Sequence, residues 1–249
     1  MRAPSDSIAA PPLPVLEWLN VGMLRMDQQV GRPVLVAFWD FCRVNTLRAI
    51  PYLSAWHERY AEAGLRVMAI HAGAYPPSQD PEAIRDAVAR LELAYPVALD
   101  LEFRAWRQFD VPGWPARYLF DQRLKLFEYH HGEGDYAATE RAIGELLGVA
   151  VEPLAPVRPQ DAPDVVLVEP TGEQPGAYCG PYGAGGAHAV VSGAGELRVD
   201  GEIVVVEHPG PVTLAEHAMH VEAVLDLEAG PGVVVHAVQF TPGLDPDGS

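Results

Sequence analysis

A single thiol stands in the segment of this sequence that is best suited to chemistry. Cys42 lies in "AFWDFCRVNTLRAIPYL" (37–53), where an apolar run passes through a turn into a helical pattern. A neighbouring cation and the N–H groups at the start of a helix stabilise a thiolate, and Arg43 follows Cys42 directly. Such a thiolate attacks a peroxide, or forms a mixed disulfide that an external thiol resolves. The first hypothesis is a redox site that uses Cys42 alone, and a buried, inert Cys42 is the alternative.

Arg43 suggests a second kind of site. A cation at the start of a helix faces the positive end of the helix dipole, which is unfavourable unless an anion is near. Asp40 is one candidate for that anion. Alternatively, Arg43, the free helix amides and the Thr46 hydroxyl jointly bind a carboxylate or phosphate.

Other chemical signals in the sequence are weak. His217 and His220 have an odd spacing within an expected strand, which directs them to opposite faces, and the adjacent His130 and His131 diverge in the same way. The Gly-rich "GAGGAH" (183–188) is not followed by a helix, so it does not match a phosphate loop. We therefore expect no metal and no cofactor. Cys179 stands far from Cys42 in the sequence, and we expect both to be free thiols.

The overall composition narrows the class of partner. Acidic residues outnumber basic ones by 34 to 17 in the 249 residues, and the formal charge of −17 opposes binding to a phosphate backbone. The longest apolar runs are too short to cross a bilayer, and the N-terminal segment lacks a signal-peptide core. We expect a cytoplasmic protein with a redox or protein partner, and neither nucleic acid nor membrane as a partner.

The segment that contains Cys42 lies within a series of alternating predicted strands and helices. Apolar strand patterns at "PVLVAFW" (33–39) and "LRVMAIHA" (65–72) are each followed by a helical pattern, and a strand pair with a final helix ends near residue 148. The predicted order is βαβα followed by ββα. We assign residues 1–12 to an N-terminal tail and residues 13–148 to this α/β domain.

A Pro-rich stretch follows this domain, and after it the residue pattern changes. Residues 149–163 contain four Pro and no periodicity, which predicts a linker. Residues 164–249 contain short β-branched segments between Gly and Pro turns, which predicts an all-β sandwich. Exposed aromatic platforms for sugars are scarce there, because the aromatic residues are Tyr178, Tyr182 and Phe240. We expect the sandwich to pack against the first domain or to join two copies in a homo-oligomer.

The first domain resembles thioredoxin-like proteins of the TlpA and peroxiredoxin-related group, and more narrowly the soluble C-terminal region of the DipZ family. The resemblance rests, from the N-terminus onward, on "EWLN", "VLVAFWDF", "LRAIPYLSAWHERY", "IHA", "YPVALD", "WPARYLFD" and "GEGDYAATERAIGELL". It implies a thioredoxin fold followed by a sandwich like the jelly roll of a carbohydrate-binding module.

The resemblance also fixes where reactive cysteines belong. In the family, the Trp that ends the apolar strand is followed at the fourth residue by the nucleophilic Cys, at the seventh by the resolving Cys and at the twelfth by a helix Pro. Counting from Trp39 places Arg43, Thr46 and Pro51 at those positions. Both family cysteines are replaced, so no local thiol resolves a mixed disulfide.

The resemblance supplies the other wall of the site as well. It implies that Pro115 follows a cis peptide bond and faces the turn, with Trp114 beside it. The expected substrate-binding residues are therefore Trp39, Arg43, Thr46, Trp114 and Pro115, with Cys42 as the candidate catalytic residue. Two hypotheses stay open: a thiol oxidoreductase or peroxidase that uses Cys42 alone, and a redox-inactive binding or scaffold protein.

Overall fold

The computed structural model describes residues 1–5 and 7–247, and these residues cluster into two compact units. The first unit comprises Met1–Asp40, Asn45–Gly73 and Ile84–Ala155. The second comprises Phe41–Val44, Ala74–Ala83 and the C-terminal part of the chain from Pro156. The turn that contains Cys42 thus groups with the second unit.

The first unit is built on one mixed sheet. Its strands are β1 (Glu17–Leu19), β2 (Val34–Trp39), β3 (Arg66–His71), β4 (Val97–Leu99), β5 (Ala116–Phe120) and β6 (Leu126–His131). The helices of the chain are α1 (Val44–Tyr60), α2 (Pro81–Arg90), α3 (Arg104–Gln108) and α4 (Tyr136–Leu147). The strand order is β1-β4-β3-β2-β5-β6, with β2, β3 and β4 parallel and the other pairs antiparallel. The predicted βαβα–ββα order of a thioredoxin-like domain is confirmed.

The central strand explains the apolar run in the sequence. All six residues of β2 are buried, as expected for a strand with neighbours on both edges and layers on both faces. Val34, Val36 and Phe38 share one face and pack in a cluster with residues of β3, β5 and α3. Phe38 meets the rings of Phe109 and Tyr118 edge-on, at centroid distances of 5.3 and 6.0 Å. This packing fixes the end of β2, from which the turn at Phe41–Arg43 emerges.

The N-terminal segment, assigned from the sequence to a tail, runs beside β6. Arg2 forms an antiparallel bridge with Glu128, and Ala9 forms one with Lys125. The guanidinium of Arg2 lies over the ring of Phe127 at 4.1 Å. The outer edge of β6 is therefore partly covered by the chain itself.

The second unit is rich in β structure. Its strands are β7 (Leu167–Val168), β8 (Gln174–Pro175), β9 (Gly180–Gly193), β10 (Gly195–Val199), β11 (Glu202–Val206), β12 (Gly210–Leu225), β13 (Leu227–Ala229), β14 (Val233–Thr241) and β15 (Gly243–Leu244). They form a six-stranded sheet in the order β7-β15-β12-β9-β14-β8 and a three-stranded sheet in the order β11-β10-β13. The C-terminal part is thus β-rich as predicted.

The Gly-rich segment that invites a phosphate-loop interpretation lies within β9. A Cβ atom at Gly185 would stand 2.5 Å from the carbonyl oxygen of Pro242 and 2.6 Å from the Cα atom of Gly243. Glycine is needed here because two stretches of backbone approach closely. The segment serves sheet packing.

Candidate functional site

The turn between β2 and α1 has the register that the sequence indicates. β2 ends at Trp39, α1 begins at Val44, and Pro51 lies inside the helix. Trp39 is buried and meets the ring of His71 edge-on at 5.0 Å. Arg43 therefore directly precedes α1 and Thr46 lies in its first turn, the two positions at which the resemblance implies reactive cysteines.

Cys42 is completely buried, with 0% of its surface exposed. Its backbone carbonyl accepts a hydrogen bond of 3.3 Å from the side-chain amide of Gln239 in the same unit. The carbonyl oxygen of that amide accepts a hydrogen bond of 2.9 Å from the backbone N–H of Val44. The two ends of one carboxamide thus bind the residues on either side of Arg43.

The Arg43 side chain belongs to a network within the second unit. Its Nη1 lies 3.4 Å from a carboxylate oxygen of Glu173, and its guanidinium lies over the ring of Tyr75 at 5.3 Å. Tyr75 donates its hydroxyl hydrogen to Glu173 and accepts a hydrogen bond of 2.9 Å from Gln239. Burial and the hydrogen bond to the Glu173 carboxylate raise the pKa of Tyr75 above its usual value. The charge of Arg43 therefore has an internal counter-ion.

Thr46 and Asn45 make contacts within the first unit. The buried Thr46 hydroxyl donates a hydrogen bond to the backbone carbonyl of Asp40. Asn45 donates a hydrogen bond of 2.9 Å to the backbone carbonyl of Trp114. The structure thus gives Arg43, the Val44 amide and Thr46 separate partners, and the shared anion site expected from the sequence stays a prediction.

The peptide bond before Pro115 has the geometry that the resemblance implies. The Trp114–Pro115 peptide is cis, so that prediction is confirmed. The indole N–H of Trp114 donates a hydrogen bond of 2.8 Å to the carbonyl of Ala72, and its ring packs on Trp106 at 4.2 Å. Trp114 is therefore held in place by the first unit's own residues.

A buried pair that the sequence analysis missed lies beside Trp39. His71 Nε2 is 3.9 Å from a carboxylate oxygen of Asp40, and both side chains are fully buried. Burial lowers the pKa of His71 to about 3, so its imidazole is neutral at physiological pH. The sequence signal that could have indicated this pair was Asp40, a polar residue directly after an apolar strand. The sequence carried no comparable signal for Gln239, Tyr75 and Glu173, because these residues are far from the turn in the sequence and are common residue types.

The other sites considered in the sequence lie outside the turn between β2 and α1. In the described residues, no group of three or more His, Cys, Asp or Glu side chains is placed to hold a metal ion. Cys179 is exposed, and its Sγ lies 3.4 Å from the carbonyl of Leu227. Within the described part of the chain neither cysteine forms a disulfide. None of the described helices has the length and apolar character of a membrane span.

These features define a class of protein: an α/β domain of thioredoxin type in which Arg43, directly before the first helix, and Thr46, in its first turn, stand where the resemblance implies a dithiol. No protein-family model matches the chain. The chain is similar to protein DipZ of Mycobacterium bovis, with 32% identity over 179 residues that cover 69% of this chain and 26% of DipZ. It is also similar to the thiol-disulfide oxidoreductase YkuV of Bacillus subtilis, with 26% identity over 131 residues that cover 52% of this chain and 87% of YkuV.

A solved structure shares the fold of the first unit. The crystal structure of a putative thiol:disulfide interchange protein DsbE from Chlorobium tepidum covers 58% of this chain and 99% of its own, with a TM-score of 0.53 and 22% identity. The chain belongs to the thioredoxin-like superfamily and is homologous to a region of DipZ. It spans about a quarter of the length of DipZ.

Proposed function

We propose that this chain is a redox-inactive thioredoxin-like module that binds a protein partner. The observation that carries the proposal is the start of α1. Arg43 and Thr46 stand at the two reactive positions, and the neighbouring Cys42 is completely buried. Dithiol exchange requires a second thiol within the same turn, and Thr46 supplies none.

The hydrogen bonds around the turn support the same proposal. A reactive thiolate at this place draws its stability from free N–H groups at the start of the helix. Here the Val44 N–H is bonded to Gln239, and Arg43 is paired with Glu173. The groups that would stabilise a thiolate are thus used within the protein.

A second candidate is a thiol oxidoreductase that uses Cys42 alone, and the position of Arg43 beside Cys42 favours it. In that reaction the Cys42 thiolate attacks one sulfur of a substrate disulfide. A mixed disulfide forms and the other sulfur leaves as a thiolate. An external thiol then attacks the mixed disulfide and releases Cys42. This candidate requires the turn to open, because Sγ of Cys42 is buried.

The β-rich unit is proposed to have the jelly-roll architecture of a carbohydrate-binding module without its sugar site. Tyr182 and Phe240 are buried and stack on each other at 5.2 Å. Sugar platforms need exposed aromatic faces, so these rings support a structural role. The acidic charge of −17 favours a protein over nucleic acid as the partner. Among the described residues Cys42 and Cys179 form no disulfide, which supports a reducing compartment such as the cytoplasm.

Thiol labelling of the native protein tests the proposed function. The Cys179→Ser variant isolates Cys42, and the Cys42→Ser variant isolates the exposed Cys179 as the matched control. We expect Cys42 to react on the order of a hundredfold more slowly than Cys179, because labelling requires a local opening that costs about 3 kcal/mol. Fast labelling of native Cys42 below neutral pH would instead support the single-cysteine enzyme.

A further inference from the structure

Strand β11 forms an edge of the second unit. It is the outer strand of the order β11-β10-β13, and in the described residues it pairs with β10 alone. Its pairing with β10 runs without interruption from Gly195↔Val206 to Val199↔Glu202. The strand is therefore regular, and one of its long sides meets no other strand of the described chain.

The turn before β11 determines which backbone groups face that free side. Asp200 and Gly201 form a two-residue connection with φ values of 51° and 89°. Positive φ at both positions is the signature of a type I′ hairpin turn, in which the flanking residues Val199 and Glu202 are hydrogen-bonded to each other. Bonds of an antiparallel ladder recur at every second residue, so those to β10 continue at Val204 and Val206. The N–H and C=O groups of Ile203 and Val205 consequently point to the free side.

The same two residues present apolar side chains to solvent. Ile203 is 57% exposed and Val205 is 63% exposed, whereas Val206 is buried in the core of the unit. Edge strands are commonly protected by Lys, Pro or a bulge. β11 has the sequence "EIVVV" and a continuous register, so it has none of these protections.

Acidic side chains surround this edge. Glu202 begins the strand, Glu207 follows its end, and Glu196 stands opposite Val205 on β10. Arg198 is a basic neighbour opposite Ile203, and its Nε lies 3.8 Å from a carboxylate oxygen of Glu228. The local charge thus favours a cationic occupant. A second copy of this chain brings the same acidic groups and a further net charge of −17, which disfavours self-pairing.

We propose that β11 accepts an extended strand of a partner protein in which apolar residues alternate with Lys or Arg. The partner's backbone pairs with Ile203 and Val205, and its apolar side chains lie on the face of Val204 and Val206. Its cations lie on the opposite face, with Ile203, Val205, Glu196 and Glu207. The inference rests on the proposed binding function and names the surface and the chemistry of the partner.

A peptide titration with the full chain tests the proposal. The probe is a fluorescein-labelled peptide of about ten residues that alternates Val and Lys, blocked at both ends, and its anisotropy reports binding. A Val and Glu peptide of the same length is the control. We expect the Lys peptide to bind about tenfold more tightly than the Glu peptide, with an affinity that falls as salt rises.

Two variants locate the site. Val205→Lys places a cation on the edge and should weaken binding of the Lys peptide about tenfold, whereas Val234→Lys is the matched control, because Val234 is similarly exposed, at 56%, on β14. Ile203→Pro removes one outward N–H group without removing a bond to β10, and it should also weaken binding. Circular dichroism verifies that each variant is folded.

Three results would overturn the proposal. The first is equal binding of the Lys and Glu peptides, and the second is binding that Val205→Lys leaves unchanged. The third is concentration-dependent self-association that Val205→Lys abolishes, which would make a second copy the occupant. Labelling of Cys42 is measured independently, so failure here is distinguishable from failure of the redox-inactive assignment.

Discussion

The side-chain carbonyl oxygen of Gln239 accepts a hydrogen bond of 2.9 Å from the backbone N–H of Val44. Gln239 is buried, and the opposite end of its carboxamide donates to the carbonyl of Cys42 at 3.3 Å. One polar side chain therefore satisfies two backbone groups at the start of α1. In a thiol-exchange protein of this fold, such amides contribute to the stability of the thiolate.

Replacement of Gln239 by Leu should destabilise the turn. The variant leaves the Val44 N–H without its acceptor, and an unsatisfied buried donor costs about 1 to 3 kcal/mol. We expect a lower free energy of unfolding in urea and faster hydrogen exchange of the Val44 amide. Gln122→Leu is the control, because Gln122 makes an exposed hydrogen bond to the carbonyl of Leu146. Equal effects of the two substitutions would contradict the bridging role of Gln239.

Restoration of cysteines at the two family positions should restore disulfide formation. Arg43→Cys with Thr46→Cys, in a background that carries Cys42→Ser and Cys179→Ser, places one thiol directly before α1 and one in its first turn. We expect a reversible disulfide under mild oxidation, detected by alkylation and mass spectrometry, because residues three apart on a helix are neighbours. The single Arg43→Cys variant is the control. Absence of an intramolecular disulfide would show that the register counted from Trp39 is wrong.

The stability of the protein should fall with acidification partly because of His71. Its folded-state pKa of about 3 lies below the unfolded value near 6.5, so the unfolded state binds more protons in between. His71 therefore does not change the free energy of unfolding above pH about 6.5. Below that pH it lowers the free energy of unfolding by about 1.4 kcal/mol per pH unit. Urea unfolding at several pH values measures the slope. His71→Gln should reduce the slope between pH about 4 and 6, and an unchanged slope would assign it to other groups.

Glu140 should be more important for stability than other acidic residues of α4. Its carboxylate is fully buried and accepts hydrogen bonds from Arg59, Tyr60 and the backbone N–H of Leu154. Burial and this carboxylate raise the pKa of Tyr60 to about 12. Because Arg59 is half exposed, we expect Glu140→Ala to cost about 2 to 3 kcal/mol, mainly from the unsatisfied Tyr60 hydroxyl and Leu154 amide. Glu145→Ala, at an exposed position of the same helix, should cost less than about 1 kcal/mol. Thermal unfolding of the two variants makes the comparison.

Local patterns were sufficient to predict much of the first unit. The apolar run at β2 and the spacing of Ile50, Leu53 and Trp56 on α1 reflect burial on both faces of a strand and on one face of a helix. The three-residue strand β1 carried no comparable periodicity, because its identity depends on pairing with β4. The cis Trp114–Pro115 peptide was predicted through the family resemblance.

The sequence by itself determined that no second thiol stands near Cys42 and that sulfur is missing from positions 43 and 46, since composition and register are read directly from the chain. Only the tertiary structure decided that Cys42 is buried, that Arg43 is paired with Glu173, and that Gln239 binds the Val44 amide. These contacts join residues more than a hundred positions apart, and they depend on side-chain directions that no local periodicity specifies.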